Sequence, residues 1–444
     1  MNEQLICDYK NFLNNGKTER ECVSEIIALA KKNGFKDISS LKKIKAGDKV
    51  YISKINKAIA LFQIGKNDLS EGINILCSHI DSPRLDVKQN PLYEKDSITY
   101  LNTHYYGGIK KYQWSTIPLA IHGVVCKKDG TSVKIIIGEN VDEPVFCISD
   151  ILPHLAQDQL KDKASDFIKG ELLDVIMGSV SPQYNTKDTI KEKSKKIILG
   201  LLKEMYNIEE ADFNSAELEI VPSGKARDLG LDRSLILGYG QDDRSCAFTS
   251  VQALLNSQVE NKTMCCLCVD KEEIGSVGAT GFSSHLYENM VSEILEKLQD
   301  NYSEIVLRRC LSNSFMLSSD VNSAYDPLNS NLYDKDNSSF LGGGVVFQKY
   351  TGTKGKSMAN DASPEFIATI RSVMEKANVS FQFAEIGKVD QGGSGTIAYH
   401  AAKYGMNVID AGVAVLSMHA PWEITAKEDI SQIYECYKAF LAID

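Results

Sequence analysis

Six side chains of metal-binding type stand where apolar runs give out. His79 closes INILCSHID, Asp242 lies in GYGQDDRSC, and Glu272 and Glu273 follow MCCLCVDK. Asp320 closes FMLSSD, and His419 follows VAVLSM. Imidazole with carboxylate is a ligand set for zinc, and cobalt or manganese can occupy the same set. Two divalent cations about 4 Å apart repel each other, so a carboxylate that bridges them is close to obligatory. Asp242, in a tight Gly-Gln-Asp-Asp turn ahead of a helix, suits the bridge. His79 and His419 with Glu273 and Asp320 then supply one imidazole and one carboxylate to each ion, leaving positions open for water. Of the adjacent pair Glu272 and Glu273, one can bind metal while the other takes a proton from the water. Asp81, two residues after His79, is placed to accept the far imidazole N–H and fix its tautomer. The chemistry expected is metal-assisted hydrolysis.

Residues so far apart in sequence meet only if the fold brings strand ends together. In an open α/β sheet the carboxyl ends of the strands line one crevice, and four of these segments read as buried strands running into a polar residue. Each motif alone is weak, since an HxD or an EE pair is usually a solvated surface feature. Their conjunction carries the reading. From 239 to the end, strands and helices alternate, which predicts a mostly parallel sheet with helices on both faces. The stretch between His79 and Asp242 differs. It contains the aromatic SITYLNTHYYGGIKKYQW, a hairpin turning on Asp129-Gly130, and helical segments around DTIKEKSKKIILGLLKEM. An inserted, β-rich domain explains that spacing, giving a catalytic domain at 1–92 and 239–444 interrupted by 93–238. Near the start, Thr18 and Glu21 match a helix-capping pattern.

Composition narrows the classes. The 444 residues are 43% hydrophobic and 24% charged, ordinary for a globular protein. A formal charge of −10 argues against nucleic acid as a partner. No run approaches the roughly 18 apolar residues of a membrane span, and MNEQLICDYKNFL lacks the features of a signal peptide. The eleven cysteines form no CxxC array. Cys265, Cys266 and Cys268 read as small core residues on a strand. A reduced, cytoplasmic enzyme is the expectation.

Taken together, SHIDSPRLD, GYGQDDRSC, DKEEIGSVGATG, SSDVNSAYDP and SMHAPWE resemble the aspartyl aminopeptidase family of two-metal zinc aminopeptidases, over nearly the whole chain and in the family's order. The resemblance implies that Asp242 bridges the metals, with Glu273 and His419 on one and His79 and Asp320 on the other. It implies Glu272 as general base and Asp81 as the partner of His79. ILPHLAQDQ looks like the family's PHLA stretch, whose histidine, here His154, reaches a neighbouring subunit's active site and stabilises the tetrahedral intermediate. The inserted domain would then form a dimer contact, and the dimers a tetrahedral dodecamer whose chamber admits peptides. Asp-Asp-Arg in GQDDRSC, where other members have Asp-Asn, places the chain with the bacterial branch. The family's preference for N-terminal Asp or Glu needs a basic side chain, for which Lys349, Lys354 and Lys356 are the local options. Two alternatives stand beside an aminopeptidase: a two-metal N-acyl deacylase or carboxypeptidase, and an inactive assembly or binding protein.

Overall fold

The computed structural model describes residues 2–180, 192–299, 302–393 and 395–444. The chain divides into two compact units. The first comprises Met1–Ser82, Ala226–Met418 and Glu423–Asp444, and the second Pro83–Lys225 with His419–Trp422. Both crossings therefore fall earlier in the chain than 92/93 and 238/239, and a four-residue segment carrying His419 goes with the second unit.

In the first unit, helices α1 (Glu3–Asn15) and α2 (Glu19–Lys32) precede strands β1 (Lys36–Asp37), β2 (Lys49–Lys54), β3 (Ala58–Gln63) and β4 (Asn74–His79). The second unit contributes β5 (Arg84–Lys95), β6 (Ile98–Tyr106), β7 (Leu119–Cys126), β8 (Ser132–Ile137), β9 (Val175–Ser179), α3 (Lys193–Tyr206) and β10 (Ala216–Pro222). The first unit then resumes with β11 (Arg227–Leu229), β12 (Leu235–Gly238), α4 (Gln241–Asn256), β13 (Met264–Val269), α5 (Leu286–Leu298), α6 (Glu304–Ser312) and β14 (Phe315–Ser318). It ends with β15 (Asn322–Ser323), β16 (Val345–Gln348), α7 (Pro364–Lys376), β17 (Phe381–Phe383), α8 (Ile397–Ala401), β18 (Asn407–Gly412), β19 (Ala414–Val415), β20 (Glu423–Ala426) and α9 (Lys427–Leu441). The helical reading around 188–205 coincides with α3 from Lys193 onward and lies outside the described residues up to 191.

Nine strands of the first unit form one sheet in the order β1-β2-β3-β13-β4-β14-β18-β16-β17. Its centre, β13-β4-β14-β18, is parallel. The sheet is mostly parallel, as expected, with β1–β2 and β16–β17 also parallel, but it is mixed, because β2–β3, β3–β13 and β16–β18 run antiparallel. The first of these reversals is local in origin: only 55–57 separate β2 from β3, and Ile55 and Asn56 take φ of 55° and 53°. A connection that short can only return antiparallel.

Side chains alternate across a strand, and the central strands are apolar on both faces. Leu76, Cys266, Leu317 and Ile409 face a core built with α1, α2, α4, α7 and α9. Ile75, Cys265, Met316 and Val408 face a second core built with α5, α6 and α8. The cysteines of MCCLCVD are buried residues of β13 and all are free, as their apolar neighbours predict. Helix α2 begins as its sequence indicates, with the Thr18 hydroxyl accepting from the Glu21 amide at 3.3 Å.

The second unit holds a six-stranded sheet of antiparallel pairs, β8-β7-β10-β5-β6-β9. Its hairpin β7–β8 turns at Asp129-Gly130: the Asp129 carboxylate accepts from the Thr131 amide at 2.9 Å, and Gly130 takes a φ of 86°. Buried Arg84 lies 3.2 Å from the Glu219 carboxylate and over the Tyr106 ring.

One close approach in the sheet bears on function. A Cβ on Gly412, at the end of β18, would stand 1.9 Å from the carbonyl oxygen of Asp320. Only glycine lets the backbone carrying Asp320 lie so close. Gly412→Ala is expected to cost about 1–3 kcal/mol of stability through overpacking and to weaken metal binding with it. Chemical denaturation and zinc titration of the variant test this, and an unaltered zinc affinity would separate the glycine from the site.

Candidate metal centre

Three adjacent parallel strands deliver the site. His79 is the last residue of β4, Glu272 and Glu273 follow β13, and Asp320 follows β14. Asp242 lies in the first turn of α4 with non-helical backbone angles, and its peptide bond to Asp243 is cis. The structure brings five predicted ligands or bases around one atom. His79 Nε2 stands 3.3 Å from an Asp242 carboxylate oxygen, 3.9 Å from Glu272 and 4.0 Å from Asp320. Two overlapping sets have ligand atoms within 4.8 Å of one another: His79, Glu272 and Asp320, and His79, Asp242 and Glu273. His79, Asp242 and Asp320 are buried, and the two glutamates are partly exposed.

Asp81 has a larger part than its spacing suggests. His79 Nδ1 lies 3.0 Å from the Asp81 backbone carbonyl and 3.3 Å from its carboxylate. That places a proton on Nδ1 and turns Nε2 toward the carboxylates, where a metal can replace the second ring proton. The same carboxylate accepts the backbone amides of Glu272 and Glu273, each at 3.2 Å. A single side chain thus holds the imidazole and aims the Glu-Glu turn.

Other residues of the frame carried no signal in the sequence. The Glu423 carboxylate accepts from the Asp242 amide at 3.0 Å, and Ser82 donates to the Asp242 carbonyl at 2.8 Å. Buried Asp243 accepts from the His79 amide at 3.3 Å. Behind the Glu-Glu turn, Asp270 accepts from Thr280 at 2.7 Å and from the Lys271 amide at 2.8 Å. Lys57, itself buried, reaches to 3.4 Å from it. Burial and the nearby Glu19 push the Asp270 carboxyl up to about 7. Asp243 was legible only as the second half of an Asp-Asp pair; Glu423 had no signal beyond following the SMHAPW run.

The remaining predicted residues lie in the second unit. His419, at a φ of 65°, has Nδ1 2.9 Å from the Gly108 carbonyl. A proton there leaves Nε2 as the acceptor nitrogen of the ring. His154 is exposed in a short turn, Pro153–Leu155, beside exposed Leu152 and Leu155. Of the lysines considered for specificity, Lys356 pairs with Asp361 at 3.1 Å and lies over the Tyr350 ring. Lys354 and Lys356 line one cavity of the first unit, whereas Lys349 lines another.

The electrostatics favour a bound cation. Burial, with Asp243 and Glu272 nearby, raises the Asp320 carboxyl well above the usual range. Burial alone would lower the His79 pKa, but Asp242 and Asp81 carry it well above its ordinary value. Carboxylates this crowded hold protons unless another positive charge replaces them. A hard-to-borderline divalent ion with oxygen and imidazole ligands fits that donor set.

Carboxylates and an imidazole gathered at the carboxyl ends of a parallel sheet are the construction of a metallohydrolase. The family model for aminopeptidase I zinc metalloprotease, M18, matches residues 12–441. A probable M18 family aminopeptidase 1 from Clostridium acetobutylicum is 55% identical over 98% of this chain and 93% of its own. The crystal structure of an M18 aminopeptidase from Thermotoga maritima superposes with a TM-score of 0.94 at 43% identity, over 99% of this chain and 97% of the other. The S. cerevisiae mApe1 dodecamer structure, at 21% identity and a TM-score of 0.78 over 98% and 95% of the two chains, shares the fold. The chain belongs to the M18 family and is a zinc aminopeptidase, a hydrolase. The deacylase, carboxypeptidase and non-enzymatic alternatives gain no support. No helix among the described residues is long and apolar enough to cross a membrane.

Two outcomes follow. Asp81→Ala is expected to weaken zinc binding about 10- to 100-fold, measured by competition with a chelating dye; unchanged affinity would remove Asp81 from the frame. Asp320, with its pKa raised in the folded metal-free protein, contributes stability that is fully present below its unfolded value near 3.8 and lost as pH rises through the raised value. Zinc displaces that proton, so zinc affinity is expected to rise as pH rises through the raised value, with protons released on binding. Calorimetry in buffers of different ionisation enthalpy measures both. Affinity independent of pH would contradict the assignment.

Proposed function

We propose that the chain removes the N-terminal residue from peptides using two zinc ions held at this centre, with cobalt or manganese able to replace zinc. Asp242 would be shared between the ions, Glu273 and His419 would help hold one, and His79 and Asp320 the other. The observation that supports this most is the convergence of Asp242, Glu272 and Asp320 on His79 Nε2. When bound, the metal supplies Lewis acidity toward the scissile carbonyl and lowers the pKa of its water.

The chain's own residues do the rest. Glu272, partly exposed beside the buried cluster, takes the water's proton and returns it to the leaving amine. Asp81 keeps the His79 tautomer and the Glu272 direction in one frame. The burial of His79, Asp242 and Asp320 limits water around the reacting atoms and strengthens every charge interaction there.

We assign the second unit to dimer formation and His154 to a neighbouring subunit's active site, where it stabilises the tetrahedral intermediate. Exposed Leu152, Leu155 and Leu160 around His154 are the kind of surface a partner covers. The mApe1 dodecamer supports a homo-oligomer, and a closed tetrahedral assembly of dimers is the form we favour. Free cysteines throughout suit a cytoplasmic location.

Glu272→Gln is expected to keep its zinc and lose about 100- to 10,000-fold in turnover. Metal analysis and peptide assay decide it together, and near-wild-type activity would unseat Glu272 as the base. Peptides with free N-termini should be cut and their acetylated counterparts left intact, with the rank order over Asp, Glu and neutral residues giving specificity. His154→Ala should lower kcat with the oligomer unchanged by light scattering. A normal kcat would remove His154 from catalysis.

A further inference from the structure

Away from the zinc ligands, the first unit buries a carboxylate that nothing in the chain neutralises. Asp410, on β18, is wholly inaccessible, and among the described residues its carboxylate is approached by the Thr396 and Ser318 hydroxyls without a hydrogen bond of full geometry. No Lys, Arg or His side chain among the described residues pairs with it. Burial pushes its carboxyl up to about 6, while the nearby Thr396 and Ser318 hydroxyls hold it down. A buried charge of this kind is normally paired or coordinates a metal.

The polar side chains placed beside it by strand register and by its electrostatics carry oxygen donors. Ser318 of β14 is its in-register neighbour on one side, and Gln348 of β16 lies opposite it on the other. Such neighbours have Cβ atoms about 4.5–5.5 Å apart. Alternation places Ser318 and Asp410 on the face that carries Met316 and Val408, and Gln348 with them. Thr396, immediately before α8, completes the group. The Ser318 and Thr396 hydroxyls are also buried without a hydrogen bond, and Gln348 is 1% exposed. Two hydroxyls, an amide oxygen and a carboxylate, with no sulfur or imidazole, suit a hard cation. One carboxylate balances one positive charge.

We propose that Asp410, Ser318, Thr396 and Gln348 hold a single monovalent alkali cation, potassium or sodium. The ion ties β14, two residues before Asp320, to the start of α8 and the glycine-rich stretch that leads into it, and so stiffens one wall of the catalytic unit.

The test is thermal melting of the zinc-loaded, full-length protein at constant ionic strength in potassium, sodium or choline chloride. The midpoint is expected to rise by at least about 2 °C in one alkali salt over choline and to saturate with concentration. Asp410→Asn should abolish the response. Thr396→Val, the milder change, should move the salt titration several-fold to higher concentration, and it carries the decision if Asp410→Asn does not fold. Crystals soaked in rubidium should show an anomalous peak among the four side chains. Equal melting in all three salts with no such peak overturns the proposal and leaves Asp410 solvated by water or protonated. A response retained in both variants overturns it as well.

Discussion

Carboxylates held within 4 Å of one imidazole nitrogen repel one another, and the fold of the first unit is arranged around containing that repulsion. Taking such charges out of water costs several kcal/mol each unless they are paired or hydrogen-bonded. The chain meets the cost with backbone and with neighbours. Asp81 anchors the His79 ring and two amides of the Glu-Glu turn, Glu423 anchors the Asp242 amide, and Asp243 takes the His79 amide. What they cannot supply is net positive charge. A zinc ion can, and the M18 family's metal thereby becomes part of the packing as well as the reagent.

The same constraint explains the sheet. Parallel strands put their carboxyl ends on one edge, and β13, β4 and β14 are neighbours there. Their middles are apolar on both faces, so the strands are fixed by burial on two sides and their ends inherit that rigidity. Gly412 shows how tight the arrangement is, with no room for a methyl group against the Asp320 carbonyl.

How much of this was legible in the sequence depended on whether a residue's partner was local. His79, Glu272, Glu273 and Asp320 could be read because each follows an apolar strand, and strand ends converge. The parallel pairs follow from the alternation of strands and helices, but the three antiparallel pairs do not, and only the tight β2–β3 turn betrays a reversal. Asp81 was placed beside His79 from its spacing, but its hold on the Glu272 and Glu273 amides joins positions some 190 apart in sequence. Glu423 and Asp410 were silent for the same reason, since what distinguishes them is burial beside distant strands. His419 was found by its motif, yet it folds with the second unit and takes its orientation from Gly108.

We propose that this cluster holds two metal ions with Asp242 shared between them. Anomalous diffraction at the zinc edge from crystals of the zinc-loaded protein tests it most directly. Two peaks about 3.5–4 Å apart are expected, with an Asp242 oxygen near each and His79 and His419 beside opposite ones. A single peak, or two peaks with Asp242 on neither, would contradict it.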